Sequence, residues 1–178
     1  MLKELVSKKS IAQVFLIGEI NEELNKEVVQ YLLTTDWNDP ENKIDKLVIY
    51  VSSSGGILRD CFSIIDTVQM LKEQYKFEVI SVILGEASSA GFFLFLLGDK
   101  RIALPNARMY VHEHLTYTDG QTYSERKKDE LDQDMLYDSY IKYTAERLGI
   151  TTSRVKKLVG MNAWLTREDM INWKIITK

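Results

Sequence analysis

The chain is short of the residues that make cross-links and metal sites. Its 178 residues include one cysteine, Cys61, and two histidines, His112 and His114. One cysteine cannot close a disulfide within the chain, and these three residues cannot supply the four ligands of a structural zinc site. We therefore expect no metal, a reducing compartment such as the cytoplasm, and a Cys61 that serves as inert packing.

The chain also has little net charge and no long apolar run. The net charge is −3, so the chain lacks the basic excess that attracts nucleic acid. No stretch approaches the roughly 20 apolar residues that span a bilayer, and the opening MLKELVSKKS lacks the apolar core of a signal peptide. These absences predict a cytoplasmic protein that binds neither nucleic acid nor membrane. With 45% hydrophobic residues and only two prolines, we expect a single domain over residues 1–178.

Apolar runs and helical patterns alternate through the first half of the chain. The runs VFLI, LVIYV and VISVIL, at residues 14–17, 47–51 and 79–84, are typical of buried strands. Helical spacing begins after the capping residue Asn21 and again over residues 57–74, and the wholly apolar AGFFLFLL follows the third run. This order predicts an α/β fold of repeated βαβ units around a mainly parallel sheet, with its site at the carboxyl ends of the strands.

The second half combines short strands with one long helix. Two strands are predicted within residues 101–112, on either side of a Pro-Asn turn. A charged helix over residues 124–148 ends at Gly149, and Thr152 and Thr166 are expected to cap later helices. The apolar contacts of the long helix are predicted at Leu131, Met135, Tyr140, Ile141 and Leu148.

Small residues cluster where the second and third predicted strands end. SSSGG, residues 52–56, follows one strand, and GEASSAG, residues 85–91, leads from the other into the apolar helix. If the two strands are neighbours, backbone N–H groups at both corners form an oxyanion hole for acyl transfer. A serine at the helix start is then the candidate nucleophile, with Ser88 and Ser89 both available. Close packing of a strand against a helix is the structural alternative.

A serine nucleophile needs a base, and this chain offers only His112 and His114. Taken alone, a histidine such as His112 is more often a structural residue than a catalytic one. Glu113 lies between the two histidines and would point to the opposite face of a strand, so the three do not predict a metal cluster.

Four stretches in this order resemble ClpP, the proteolytic subunit of the Clp protease, and the resemblance runs from about Val14 to Thr177. They are SSSGG, GEASSAG, RIALPNARMYVHEH and MNAWLTREDM. The resemblance implies a ClpP/crotonase-like fold with a projecting handle at about residues 118–148. It also implies a serine endopeptidase that works through an acyl-enzyme and needs no cofactor.

The resemblance assigns roles to five residues. The nucleophile falls on Ser89 and the base on His112, while Gly56 and the N–H of Ala90 bind the oxyanion. The triad acid falls on Asn162, where most members have aspartate. Asparagine can orient the histidine ring but lacks the charge that stabilises the imidazolium, so reduced activity is expected. Capping a loop is the alternative role of Asn162.

Assembly and partners are implied by the same resemblance. Family members form seven-membered rings that stack in pairs as a tetradecamer, with the handle interleaving between the rings. They cleave peptides, or unfolded proteins delivered by an AAA+ unfoldase. Tyr50 matches an aromatic position of the family's unfoldase-docking pocket, but Val48 stands where another member commonly has tyrosine. Ser54 also replaces the proline of the Ser-Pro-Gly-Gly loop that SSSGG resembles, so φ is not pinned there.

Two other functions stay open for a chain with these motifs. One is a catalytically weak or inactive ring subunit that scaffolds an active paralogue in a hetero-oligomer. The other is a viral capsid-maturation type peptidase, because one fold hosts several functions.

Overall fold

Strands and helices alternate in the computed structural model, which describes residues 11–113 and 122–177. The strands are β1 (Ile11–Ile20), β2 (Lys46–Gly56), β3 (Glu78–Ala87), β4 (Lys100–Ala103), β5 (Met109–Val111) and β6 (Ala163–Leu165). The helices are α1 (Glu22–Thr34), α2 (Leu58–Tyr75), α3 (Ala90–Phe95), α4 (Tyr123–Leu148), α5 (Thr152–Val159) and α6 (Arg167–Asn172). The α/β order predicted from the sequence is confirmed. No helix within the described ranges is long and apolar enough to cross a membrane.

The chain divides into two compact units. The first runs to Tyr110 and resumes at Trp164, and the second is Val111–Ala163. That residues 1–178 act as a single domain stays a prediction.

The first unit is built on a four-stranded parallel sheet with the order β1-β2-β3-β4. Asn21 caps α1 as predicted, since its side chain accepts a hydrogen bond from the Leu24 N–H at 3.0 Å. Helix α3 is buried along its whole length and packs on β2 and β3. Helix α2 buries the stripe of Cys61, Ile64, Ile65, Val68 and Leu71 that the helical spacing indicates.

The strands are longer than the apolar runs that predict them. β2 continues through SSSGG to Gly56, which pairs with Ile20 of β1. The prediction that this strand ends at Val51 is therefore wrong. β3 likewise continues to Ala87. Pairing between strands uses backbone groups, so it persists where the side chains change from apolar to small and polar.

Residues 174–177 lie against the strand at one edge of this sheet, β4. The Thr177 N–H donates to the Arg101 carbonyl oxygen at 2.9 Å, and the Arg101 N–H donates to Thr177 Oγ1 at 2.7 Å. The buried Arg101 guanidinium donates to the carbonyl oxygens of Ile175, Gly98 and Lys174 at 2.6, 3.0 and 3.1 Å. A buried cation is costly unless it is hydrogen-bonded, and these carbonyls meet that need.

The second unit contains the long helix α4 and the shorter α5 that packs against it. Thr122 and Glu125 form a capping box at the start of α4, where Thr122 Oγ1 accepts from the Glu125 N–H at 3.3 Å. Hydrogen bonds from the Thr122 side chain and backbone hold the pKa of the exposed Glu125 carboxyl below its usual value. Gly149 ends the helix in the left-handed conformation, as predicted.

The burial of α4 corrects part of the prediction. Tyr140, Ile141 and Leu148 are buried as expected, but Leu131 and Met135 are 64% and 66% exposed, so their assignment as contacts is wrong for the single chain. Every buried residue described in α4 lies at position 140 or beyond. Of the predicted handle, residues 118–121 lie outside the described residues.

Two threonines cap the remaining helices. Thr151, not Thr152, caps α5, because its side chain accepts from the Arg154 N–H at 3.3 Å. Thr166 caps α6 as predicted, in a capping box with Asp169.

Candidate active site

The two glycine-bearing corners lie side by side. β2 and β3 are parallel neighbours, and their pairing continues as far as Ser53 and Ala87. Beyond those residues, the Ser88 N–H donates to the Ser53 carbonyl oxygen at 2.9 Å. The sequence-based expectation that both corners occupy one edge of the sheet is therefore correct.

Ser89 occupies the turn between β3 and α3 in a strained conformation. Its φ of 52° and ψ of −122° lie outside the regions that residues with a Cβ normally adopt. Its own N–H donates to the Tyr110 carbonyl oxygen at 3.0 Å, which helps to hold the turn. A strained strand-to-helix turn that presents a serine is the arrangement of a nucleophile elbow.

The neighbouring Ser88 is placed quite differently. Its side chain is 2% exposed, and its Oγ accepts a hydrogen bond from the Tyr110 N–H at 3.1 Å. Ser89, by contrast, is half-buried. Of the two candidate nucleophiles, Ser88 is therefore a buried, hydrogen-bonded hydroxyl, and Ser89 is the more exposed one.

Gly55 packs directly against Ser89. A Cβ on Gly55 would lie 2.6 Å from the Ser89 Cβ and 3.1 Å from its Oγ, too close for any larger residue. Gly56 has a φ of +143°, and a Cβ there would collide with the Ile20 carbonyl oxygen. Both glycines are thus required by space as well as by backbone conformation.

Among the backbone amides of the elbow, that of Ala90 differs from its neighbours in its hydrogen bonding. Those of Ser89, Gly91 and Phe92 donate to the carbonyls of Tyr110, Ser88 and Ser89 at 3.0, 2.8 and 3.0 Å. Within residues 11–113 and 122–177, the Ala90 N–H donates to no partner. Its carbonyl oxygen lies 3.4 Å from the buried Cys61 sulfur.

His112 follows β5 in the second unit and is half-buried. Its Nδ1 is hydrogen-bonded to the carbonyl oxygen of Glu113. Because a carbonyl only accepts, Nδ1 is the donor in this contact. A histidine that acts as general base through Nε2 likewise carries a proton on Nδ1. His114 lies outside the described residues.

Asn162 belongs to the same unit, between α5 and β6. It adopts a left-handed conformation with φ 46°, which asparagine tolerates better than most residues, and its N–H lies 3.3 Å from the Val159 carbonyl oxygen. The side chain is exposed, and no hydrogen bond joins it to another of the described residues. The pairing of Asn162 with His112 stays a prediction, as do the roles of Ser89, Gly56 and Ala90.

Two of the residues that organise this site escaped sequence reasoning. Ser53 and Tyr110 bond to the elbow through backbone atoms, which every residue type possesses. The repeated serines of SSSGG indicate that a hydroxyl could bond within this corner. Which of the three faces inwards depends on where β2 ends. Residue type alone does not reveal that.

Comparison with known proteins decides the family. The sequence model of the Clp protease family matches residues 3–178. The chain belongs to the Clp protease family. It is also similar to the solved structure of an Asn-to-Asp mutant of ClpP1 from Listeria monocytogenes, at 23% identity and a TM-score of 0.78. That match covers 99% of this chain and 94% of the Listeria chain, and it confirms the predicted ClpP-like fold.

Membership of the Clp protease family gives the chain a serine peptidase domain. Clp protease family members form oligomeric rings with unfoldase partners. The aromatic position predicted for docking, Tyr50, is partly buried and stacks on Phe15 with 5.1 Å between ring centroids, while Val48 is buried beside it in the sheet.

Proposed function

We propose that this Clp protease family member is a serine endopeptidase subunit with Ser89 as nucleophile, His112 as general base and Asn162 as third member. The observation that carries the proposal is the strained turn at Ser89. Backbone strain persists only where its surroundings enforce it, and here it presents a hydroxyl at the start of α3. Peptides and unfolded proteins are the proposed substrates.

The proposed reaction proceeds through an acyl-enzyme. His112 Nε2 takes the Ser89 proton as Oγ attacks the scissile carbonyl carbon, and the N–H groups of Gly56 and Ala90 stabilise the oxyanion that forms. When the intermediate collapses, the C–N bond breaks and His112 returns the proton to the leaving amine. Water, activated by the same histidine, then hydrolyses the ester and regenerates Ser89.

The free amide of Ala90 supports its place in this scheme. An oxyanion donor must have no other acceptor in the resting site, and the N–H of Ala90 meets that condition within the described residues. The contact between His112 Nδ1 and the Glu113 carbonyl oxygen also supports the base, because it puts a proton on Nδ1, as in a histidine that acts as general base through Nε2.

A fluorophosphonate serine probe tests the nucleophile directly. We expect a single adduct at Ser89 by peptide mass spectrometry, and Ser89→Ala should abolish both labelling and peptide turnover while leaving the assembly unchanged. Ser88→Ala is the matched control, since it removes the adjacent hydroxyl and should still be labelled at Ser89. Turnover by Ser89→Ala near the wild-type rate would exclude this nucleophile.

A second function is favoured by one observation, the neutral and exposed side chain of Asn162. Without a carboxylate the imidazolium is less stabilised, so a weakly active ring subunit that scaffolds an active paralogue is the alternative. Absence of labelling in a chain shown to be assembled would favour it. Peptide assays on the isolated chain, with and without the paralogue, would then separate the two. Delivery of substrates by an ATP-driven unfoldase is part of the main proposal.

A further inference from the structure

The orientation of the peptide between Gly55 and Gly56 determines where the Gly56 N–H points. A peptide unit is planar and trans, so its carbonyl and its N–H point in opposite directions. Both glycines have positive φ, +111° and +143°, and glycine resists a change of backbone conformation less than any other residue. Ser54 adds no constraint of the kind that a proline ring would impose at that position.

The Ser53 hydroxyl bonds to both polar groups of Gly55. Its Oγ accepts from the Gly55 N–H at 3.1 Å and donates to the Gly55 carbonyl oxygen at 3.4 Å. That carbonyl belongs to the same peptide unit as the Gly56 N–H, so the hydroxyl opposes a flip of this unit. The side chain is 2% exposed, which keeps bulk water from competing for these bonds.

Ser53 also contacts the elbow that carries the other proposed donor. Its carbonyl oxygen accepts from the Ser88 N–H at 2.9 Å. A Cβ on Gly91 would lie 3.1 Å from that oxygen and 3.3 Å from the Ser53 Cβ, so the start of α3 packs tightly on this residue. A single buried serine thus connects the Gly55-Gly56 peptide to the turn at Ser89 and Ala90.

We propose that Ser53 is a positioning residue for the oxyanion hole. Its hydroxyl fixes the Gly55-Gly56 peptide so that the Gly56 N–H faces the developing oxyanion, a constraint that matters more here because position 54 is serine. This inference rests on the proposed function, in which Gly56 is a donor.

Ser53→Ala removes the hydroxyl without adding bulk. Losing one oxyanion donor typically lowers kcat by roughly 10²- to 10³-fold, and we expect misorientation of the donor to lower kcat by about tenfold or more. KM for a fluorogenic peptide should stay within about twofold, because the lost interaction is made in the transition state. Adding Ser54→Pro to this variant should recover much of kcat, since the ring restricts the same loop.

Two further variants separate positioning from stability. Ser81→Ala is the matched control, because Ser81 is also a fully buried serine of this sheet, and its Oγ donates to the Phe95 carbonyl oxygen at 2.5 Å. It should lower the melting temperature and leave kcat unchanged. Ser53→Cys keeps a weak donor and acceptor, serves if Ser53→Ala does not fold, and should have an intermediate kcat.

Hydrogen exchange provides a readout that does not depend on activity. In Ser53→Ala, the Gly55 amide should exchange faster while the earlier part of β2 stays as in the wild type, measured by mass spectrometry of a peptide that covers residues 52–57. Unchanged exchange, or a kcat within about twofold of the wild type, would overturn the inference. If the wild-type chain takes no serine probe, the proposed function fails, and the exchange experiment alone decides the role of Ser53.

Discussion

Ser88 and Ser89 show how one residue type acquires two roles within a single turn. The sequence alone left both as candidates, because neither composition nor spacing distinguishes adjacent serines. Backbone geometry does so: Ser88 turns into the protein toward the Tyr110 N–H, and Ser89 takes the strained conformation at the start of α3. The sequence indicates the stretch, and the fold distinguishes the buried hydroxyl of Ser88 from the half-buried Ser89, whose role as nucleophile stays a prediction.

The proposed role of Asn162 as third member of the triad can be tested by introducing a negative charge at this position. Asn162→Asp should raise kcat by about tenfold or more if the missing negative charge limits the rate, because a carboxylate stabilises the imidazolium that forms during attack. Asn162→Ala is expected to lower kcat, and both are measured with a fluorogenic peptide on assembled protein. If neither change alters kcat, the Glu113 carbonyl that accepts from His112 orients the ring by itself.

Cys61 lies beneath the elbow and is predicted to be unreactive. Burial, followed by the charge of Asp60, raises the pKa of its thiol far above the usual range, and the thiolate is the reactive form. Iodoacetamide at pH 8 should therefore modify Cys61 in denaturant and leave it untouched in the native protein, as followed by intact mass. Thr34→Cys on the surface of α1 is the control that should react in the native protein. Native alkylation of Cys61 would contradict its burial.

At the scale of elements, periodicity predicted the helices better than the strands. The spacing of apolar residues predicted the buried face of α2, because an 18-residue helix repeats its pattern over several turns. The burial of α3 followed from a run that is apolar on all sides. Strand ends were missed at Gly56 and Ala87, where backbone pairing continues past the apolar run. Capping threonines are predictable only to within one residue, as Thr151 shows, since adjacent threonines offer the same hydroxyl.

The capping box of α6 makes a stability prediction. Thr166→Ala should lower the free energy of unfolding by about 1 kcal/mol, because the Asp169 N–H loses its acceptor at the helix start. Urea denaturation measures the change, and Thr166→Ser, which keeps the hydroxyl, should have little effect. Equal stability of Thr166→Ala and wild type would show that α6 is held by packing alone.

The capping box of Thr166 and Asp169 also predicts how the stability of the fold changes with pH. Hydrogen bonds from the Thr166 side chain and backbone lower the pKa of the Asp169 carboxyl below its ordinary 3.8. A carboxyl with a depressed folded pKa stabilises the fold above its unfolded pKa, and this contribution is lost as the pH falls below about 3.8 through the folded value. The stability difference between wild type and Asp169→Asn should therefore be present at pH 6 and shrink in acid. A difference that stays constant down to pH 2 would contradict this linkage.

At the scale of the whole molecule, α4 presents apolar side chains that the single chain does not cover. Clp protease family members form oligomeric rings, and we expect Leu131 and Met135 to pack against another subunit. Changing both to serine should reduce the mass in solution by light scattering, while the helical circular dichroism stays unchanged. Met70→Ser, at a half-exposed apolar position on α2, is the control. An unaltered mass for the double variant would remove this surface from the assembly.

The bonds between Arg101 and residues 174–177 have a consequence for the order of events during translation. On the ribosome, Arg101 is made more than seventy residues before the carbonyls of Lys174 and Ile175 that accept from its guanidinium. Until those residues emerge, the Arg101 guanidinium lacks two of the three carbonyls that it bonds in the folded chain, and only that of Gly98 is present. The fourth strand of the sheet therefore reaches its native surroundings only after residues 174–177 have been made, although β1, β2 and β3 are available to pair much earlier.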